Sequence, residues 1–122
     1  MIASTAPQDL LSTAKNLLVY ADTDTAGLWP RAAALLARQA LEDGLDLYWI
    51  ASAPGVETAS ARGQLLCLRS YVGEEIAEEA AHAWGSLSRA THHHAYELPP
   101  TASELQNLCR SVADVLDALE SS

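Results

Sequence analysis

Apolar residues recur every three or four positions along almost the whole chain, and nowhere do they alternate with polar ones. That periodicity belongs to helices with one buried face and excludes half-buried strands. Leu10, Ala14, Leu17, Leu18 and Ala21 share one face of a helix beginning near Pro7. A second helix is expected from about Pro30 to Ser52, with Leu41, Leu45, Tyr48 and Trp49 facing inward and Glu42, Asp43 and Asp46 opposite them. A third runs from about Val56 to Val72 on Leu65, Leu68 and Val72. The fourth starts at Glu74-Glu75 and carries Ile76, Ala80, Ala83, Trp84 and Leu87; the last carries Leu105, Leu108, Cys109, Val112, Leu116 and Leu119.

The breaks between these stretches have their own chemistry. Asp22-Thr23-Asp24-Thr25-Ala26-Gly27 is rich in turn formers. Pro30 suits a first helical turn, where its missing N–H is not needed. Ala53-Pro54-Gly55 and Gly73 interrupt the pattern, and Pro99-Pro100 must end the fourth helix because the residue before a proline is pushed out of the helical region. Thr101 and Glu104 have the spacing of a capping box at the head of the last helix. The fold expected is all-α, an antiparallel bundle of four main helices plus one, joined by short connections. At 122 residues it forms one domain, residues 1–122, with 1–6 expected to fray.

Composition narrows the function. Sixteen acidic and seven basic residues leave a formal charge of −9, which argues against sequence-independent sliding on nucleic acid, since that affinity comes mainly from neutralising phosphates. Six of the seven basic residues are arginines, so a local phosphate site would use forked, bidentate donors. Cys67 and Cys109 lie in apolar periodic segments and read as reduced, buried thiols. No stretch approaches the ~20 apolar residues of a membrane span, and the start of the chain lacks the basic-then-apolar pattern of a signal peptide. The expectation is a cytoplasmic protein away from membranes.

The chemistry gathers in Arg89-Ala90-Thr91-His92-His93-His94-Ala95-Tyr96-Glu97. A zinc site fits poorly. Consecutive helical residues point about a hundred degrees apart, and the run lacks the i, i+4 spacing of zinc-binding helices. No metal or cofactor is implied. Arg89 with His93 or His94 supplies what metal-free RNA cleavage needs: fixed charge for a phosphate and an imidazole that moves a proton at neutral pH. Arg62 and Arg69, two helical turns apart on one face, could line the path of the RNA, with His92 beside it. The competing reading has Arg89 paired with Glu97 and the histidines as loop structure. The aromatics Tyr48, Trp49, Tyr71 and Trp84 fall on apolar stripes and read as core.

Ala37-Arg38-Gln39-Ala40-Leu41-Glu42-Asp43-Gly44-Leu45 resembles the Gln-Ala-x-Glu-x-x-Leu portion of the second helix of HEPN-domain proteins, four- or five-helix bundles of prokaryotic toxin and defence systems. Arg89 followed by His93 and His94 resembles that family's Arg-to-His signature in spacing and in place, and Trp84 to Leu105 is similar to uncharacterised actinobacterial HEPN-like proteins. The residue after the family's Arg is usually polar; here it is Ala90. The resemblance implies a homodimer with a shared cleft and a metal-independent endoribonuclease. Arg89, His94 and His93 would be catalytic, Arg62, Arg69 and His92 substrate-binding, and an antitoxin a possible partner. Gly44 and Gly63 inside apolar helices suggest close helix approach, in keeping with a dimer. The alternative is a non-catalytic module that dimerises or binds a partner protein or nucleotide.

Overall fold

The computed structural model describes residues 6–19, 29–92 and 100–122, and over them the chain is an all-α bundle with no strand. Five α-helices follow in order: α1 (Pro7–Val19), α2 (Trp29–Ser52), α3 (Ala61–Val72), α4 (Glu74–Thr91) and α5 (Ala102–Ser121). α2 is the central element and packs against α1, α4 and α5, while α3 lies outside this group, against α4. α1 and α5 run antiparallel, as do α4 and α5, whereas α2 and α5 run parallel, with Ser52 and Ser122 at the same end of the bundle. Gln8 at the start of α1 donates a hydrogen bond to Glu120 at the end of α5. Pro100, just before α5, and Glu104, in its first turn, line one groove with Arg89 at the end of α4.

The core is built from leucine, alanine and valine around one large ring. Leu41, Leu45, Trp49, Leu68, Leu87, Val112 and Val115 are fully buried. Each such aliphatic side chain stabilises the fold by about 1.5–3 kcal/mol relative to leaving it in water. Ala33, Ala37, Ala40 and Gly44 form a stripe of small residues along α2 that lets its neighbours approach closely. Gly44 shows how closely: a Cβ added there would fall on Leu116 Cδ2 of α5. The helix meeting Gly44 therefore belongs to the same chain. Gly63 abuts the Ser60 cap that precedes α3, with Ser60 Oγ 3.3 Å from where its Cβ would stand. Neither glycine marks a surface for a second copy, and the dimer expectation loses that support.

Three further expectations need correction. The third helix does not start at Val56. Residues Val56–Thr58 form a single 3₁₀ turn after Gly55 in the left-handed region (φ 110°), and Ser60 caps a helix that begins at Ala61, its Oγ accepting from Gly63 N at 3.1 Å. Cys67 is exposed, because the packed face of α3 is Leu65 and Leu68; only Cys109 is buried, and both thiols are free. Tyr71 is half exposed, although its ring stands edge-on to Trp49 at 5.0 Å and to Tyr48 at 6.5 Å. The capping box is present as expected: Glu104 N donates to Thr101 Oγ1 at 3.0 Å, and Thr101 N donates to Glu104 Oε1 at 2.8 Å. No helix among the described residues is long and apolar enough to cross a membrane.

Candidate functional site

α4 carries the candidate site, and a polar network on its inner side holds it against α2. Trp84 Nε1 donates to Glu42 Oε2 at 2.8 Å, and Arg38 Nε lies 3.6 Å from the same oxygen. Glu42 thus serves both helices across the interface, where helical periodicity alone assigned it to the solvent side. One turn beyond Trp84, Ser88 Oγ is buried with no hydrogen-bond partner among the described residues, and the same is true of Arg38 Nε. A second polar tie fastens the start of α3: the buried amide of Gln64 donates to Asp46 Oδ1 at 3.2 Å and to the carbonyls of Glu57 and Ala59 at 3.2 and 3.1 Å.

Arg89 stands in the last turn of α4, exposed, where a cation also complements the helix dipole. Its Nη2 donates to Ser86 Oγ at 3.2 Å, and Nη1 lies 3.7 Å from where a Cβ on Gly85 would be. The guanidinium therefore lies back along the helix toward Gly85. Among the described residues no carboxylate forms an ion pair with it. His92, three residues on, is exposed and ends the helix, its backbone N–H donating to Ser88 O at 3.1 Å. His93, His94 and Glu97 lie outside the described residues, as do Tyr96 and Pro99.

A groove of about 450 Å³ opens between α4 and α5 beside Arg89. His82, Ser86 and Arg89 line it from α4, and Glu104, Asn107 and Ser111 from α5. His82 stands apart from the histidine run in sequence. Its place was legible, since positions 82, 86 and 89 are spaced i, i+4, i+7 and share one helix face. Arg62 and Arg69 do not enter this groove. They line a separate one of about 380 Å³ between α3 and α4, together with Leu66, Glu78, Trp84 and Gly85. Arg69 lies 3.8 Å from Glu74 in an open surface pair, which solvent leaves weak. α4 is the ridge between the two grooves, and the Arg89 guanidinium lies across it.

Among the described residues, Glu104 and Cys109 depart from their usual protonation behaviour. The backbone and side-chain hydrogen bonds from Thr101 hold the Glu104 carboxyl below its usual range, so the α5 wall of the groove keeps a negative charge into mild acid. Burial pushes the Cys109 thiol up, opposed by a smaller effect of the Lys15 charge. Comparison with protein-family models, curated proteins and solved structures finds no match to the chain.

Proposed function

We propose that the chain is a HEPN-like domain acting as a metal-independent endoribonuclease, with Arg89 holding the scissile phosphate and His94 or His93 moving the proton. The observation that carries this reading is the state of Arg89: an exposed guanidinium at the mouth of a polar groove, held by one neutral hydroxyl and by no carboxylate among the described residues. A forked cation left in that state suits a phosphodiester.

The step is a transesterification. The ribose 2′-oxygen bonds to the adjacent phosphorus as its proton passes to an imidazole; the bond from phosphorus to the 5′-oxygen breaks, and that oxygen takes up a proton. The products are a 2′,3′-cyclic phosphate and a free 5′-hydroxyl. Charge builds on the phosphoryl oxygens in the transition state, where preorganised donors act most strongly. In the homodimer that the resemblance implies, two such sites share a cleft. An antitoxin covering it would be the natural regulator of a toxin of this kind.

The test is cleavage of a mixed single-stranded RNA pool in the presence of EDTA. Arg89→Ala should lose about 10²–10³ in rate. His94→Ala should lose about 10²–10⁴. Arg89→Lys keeps the charge without the fork and should fall between wild type and Arg89→Ala. A parallel His82→Ala variant reports whether the groove imidazole takes part. Intact RNA with wild type, together with an unfolding midpoint lowered by several degrees in Arg89→Ala, would overturn the proposal. Arg89 would then be a structural residue in a non-catalytic module, a reading that the strongly exposed Leu66 beside the second groove favours.

A further inference from the structure

Along α3, Arg62, Leu66 and Arg69 are spaced i, i+4, i+7 and line the same groove. Leu66 is 78% exposed, the most exposed large apolar side chain described, and it is flanked by a guanidinium one turn away on either side. The opposite wall is Trp84. Its indole N–H is already committed to Glu42, which fixes the ring, and the part that remains exposed lines the groove. Gly85, beside Trp84, leaves the groove open at that point, and Arg89 Nη1 abuts it.

We propose that this α3–α4 groove binds nucleotide units, with a base stacked on Trp84 against Leu66 and the phosphates held by Arg62 and Arg69. A flat ring surface facing two forked cations across the groove matches a ligand that alternates planar apolar faces with single negative charges. Bases stack on aromatic side chains whatever their sequence, because each has a π-face. An acidic peptide matches the cations but supplies nothing flat for the indole. The proposal rests on the cleavage site above: Arg89 Nη1 lies against Gly85, which lines this groove, so a strand bound here would lead across α4 toward Arg89. Glu78, the one carboxylate lining the groove, opposes phosphate, and Glu74, 3.8 Å from Arg69, competes for that guanidinium, so both set the affinity lower than the cations alone would give.

The groove can be tested without relying on cleavage. Full-length protein is titrated into a short fluorescent 2′-O-methyl oligo-uridine, whose blocked 2′-oxygen cannot act as nucleophile, and anisotropy and tryptophan emission are read. Arg62→Ala and Arg69→Ala should each weaken binding and lower the slope of log affinity against log salt by about 1. Glu78→Gln should tighten it. Trp84→Leu should weaken it about tenfold or more. Trp84→Phe should retain most of the affinity while abolishing the quench. Uridine 5′-monophosphate forms a second arm. Competition by it at the same arginines identifies a single base–phosphate unit as the ligand, whereas binding of the oligonucleotide alone identifies a strand.

Since both arginines are exposed, their variants fold whatever becomes of the Trp84 variants. Absence of binding at low salt overturns the proposal, as does binding that both arginine variants leave unchanged, or equal competition by polyglutamate. Cleavage that continues with KM unaltered in Arg62→Ala and Arg69→Ala would sink the groove and leave the ribonuclease reading standing. Arginine-dependent binding of RNA that wild type never cuts would do the reverse.

Discussion

Trp84 and Glu42 are forty-two residues apart in sequence and meet across the α2–α4 interface, the indole Nε1 donating to Glu42 Oε2 at 2.8 Å. The same carboxylate oxygen lies 3.6 Å from Arg38 Nε. Removing the acceptor leaves two donors behind, so Glu42→Ala should cost about 2 kcal/mol. Trp84→Phe keeps the ring, loses one hydrogen bond, and should cost about 1 kcal/mol. Because both changes remove the same hydrogen bond, the double variant should cost less than the sum, which urea unfolding of the four proteins in a double-mutant cycle would read. Strict additivity would mean that the contact contributes no coupling.

Gly44 is kept by Leu116. Replacing glycine with alanine inside a helix ordinarily stabilises by up to about 1 kcal/mol. Here the new methyl would occupy the position of Leu116 Cδ2, and overpacking a buried site of this kind costs about 1–3 kcal/mol. Gly44→Ala should therefore lower stability by about 1 kcal/mol net, and Leu116→Ala should be less damaging in that background than in wild type. A Gly44→Ala protein more stable than wild type would show that Leu116 turns aside freely.

The α5 capping box should make stability depend on pH in a stated direction. Thr101→Ala should cost about 1 kcal/mol at neutral pH. The Glu104 carboxyl is held below its usual range by bonds that exist only in the folded chain. Its contribution is therefore complete above the unfolded value of about 4.3 and fades as the pH falls through the lower folded value. The difference in melting temperature between wild type and Glu104→Gln, measured from neutral pH into acid, should shrink below that point. A difference that stays constant would assign the effect to something other than the charge.

The two thiols should separate cleanly. Cys67 is exposed on α3, whereas Cys109 is buried in the core with its thiol pushed up by burial. Iodoacetamide at neutral pH should alkylate Cys67 in the native protein and Cys109 only after unfolding, because the thiolate is the reactive species. Peptide mass mapping that found Cys109 modified first would contradict the packing of α5.

Helix content, the interruptions at Ala53-Pro54-Gly55 and Gly73 and the Thr101–Glu104 cap were legible in the residues. They arise from interactions within three or four positions: a repeating apolar face, a proline that cannot continue a turn, a hydroxyl within reach of the third N–H. The faces holding Leu41, Leu68 and Leu116 followed from the same periodicity, whereas the end of α4 did not: the helix stops at Thr91 with His92 as its cap, before the Pro99-Pro100 break expected to end it.

What the residues could not determine is which neighbour meets each face. The start of α3 depends on Gln64, whose amide is satisfied by Asp46 of α2 and by two carbonyls in the preceding turn, so the stretch from Val56 to Ser60 is drawn into a 3₁₀ turn and a cap. Glu42 belongs to the polar side of α2 by spacing, yet α4 covers it because Trp84 brings a donor to it. The separation of Arg62 and Arg69 from the His82–Arg89 groove is decided by α4 standing between them. His93 and His94 lie outside the described residues, so their place beside Arg89 rests on sequence spacing alone. Periodicity is a property of one helix, whereas burial, pairing and the walls of a groove belong to two, and only packing chooses the second.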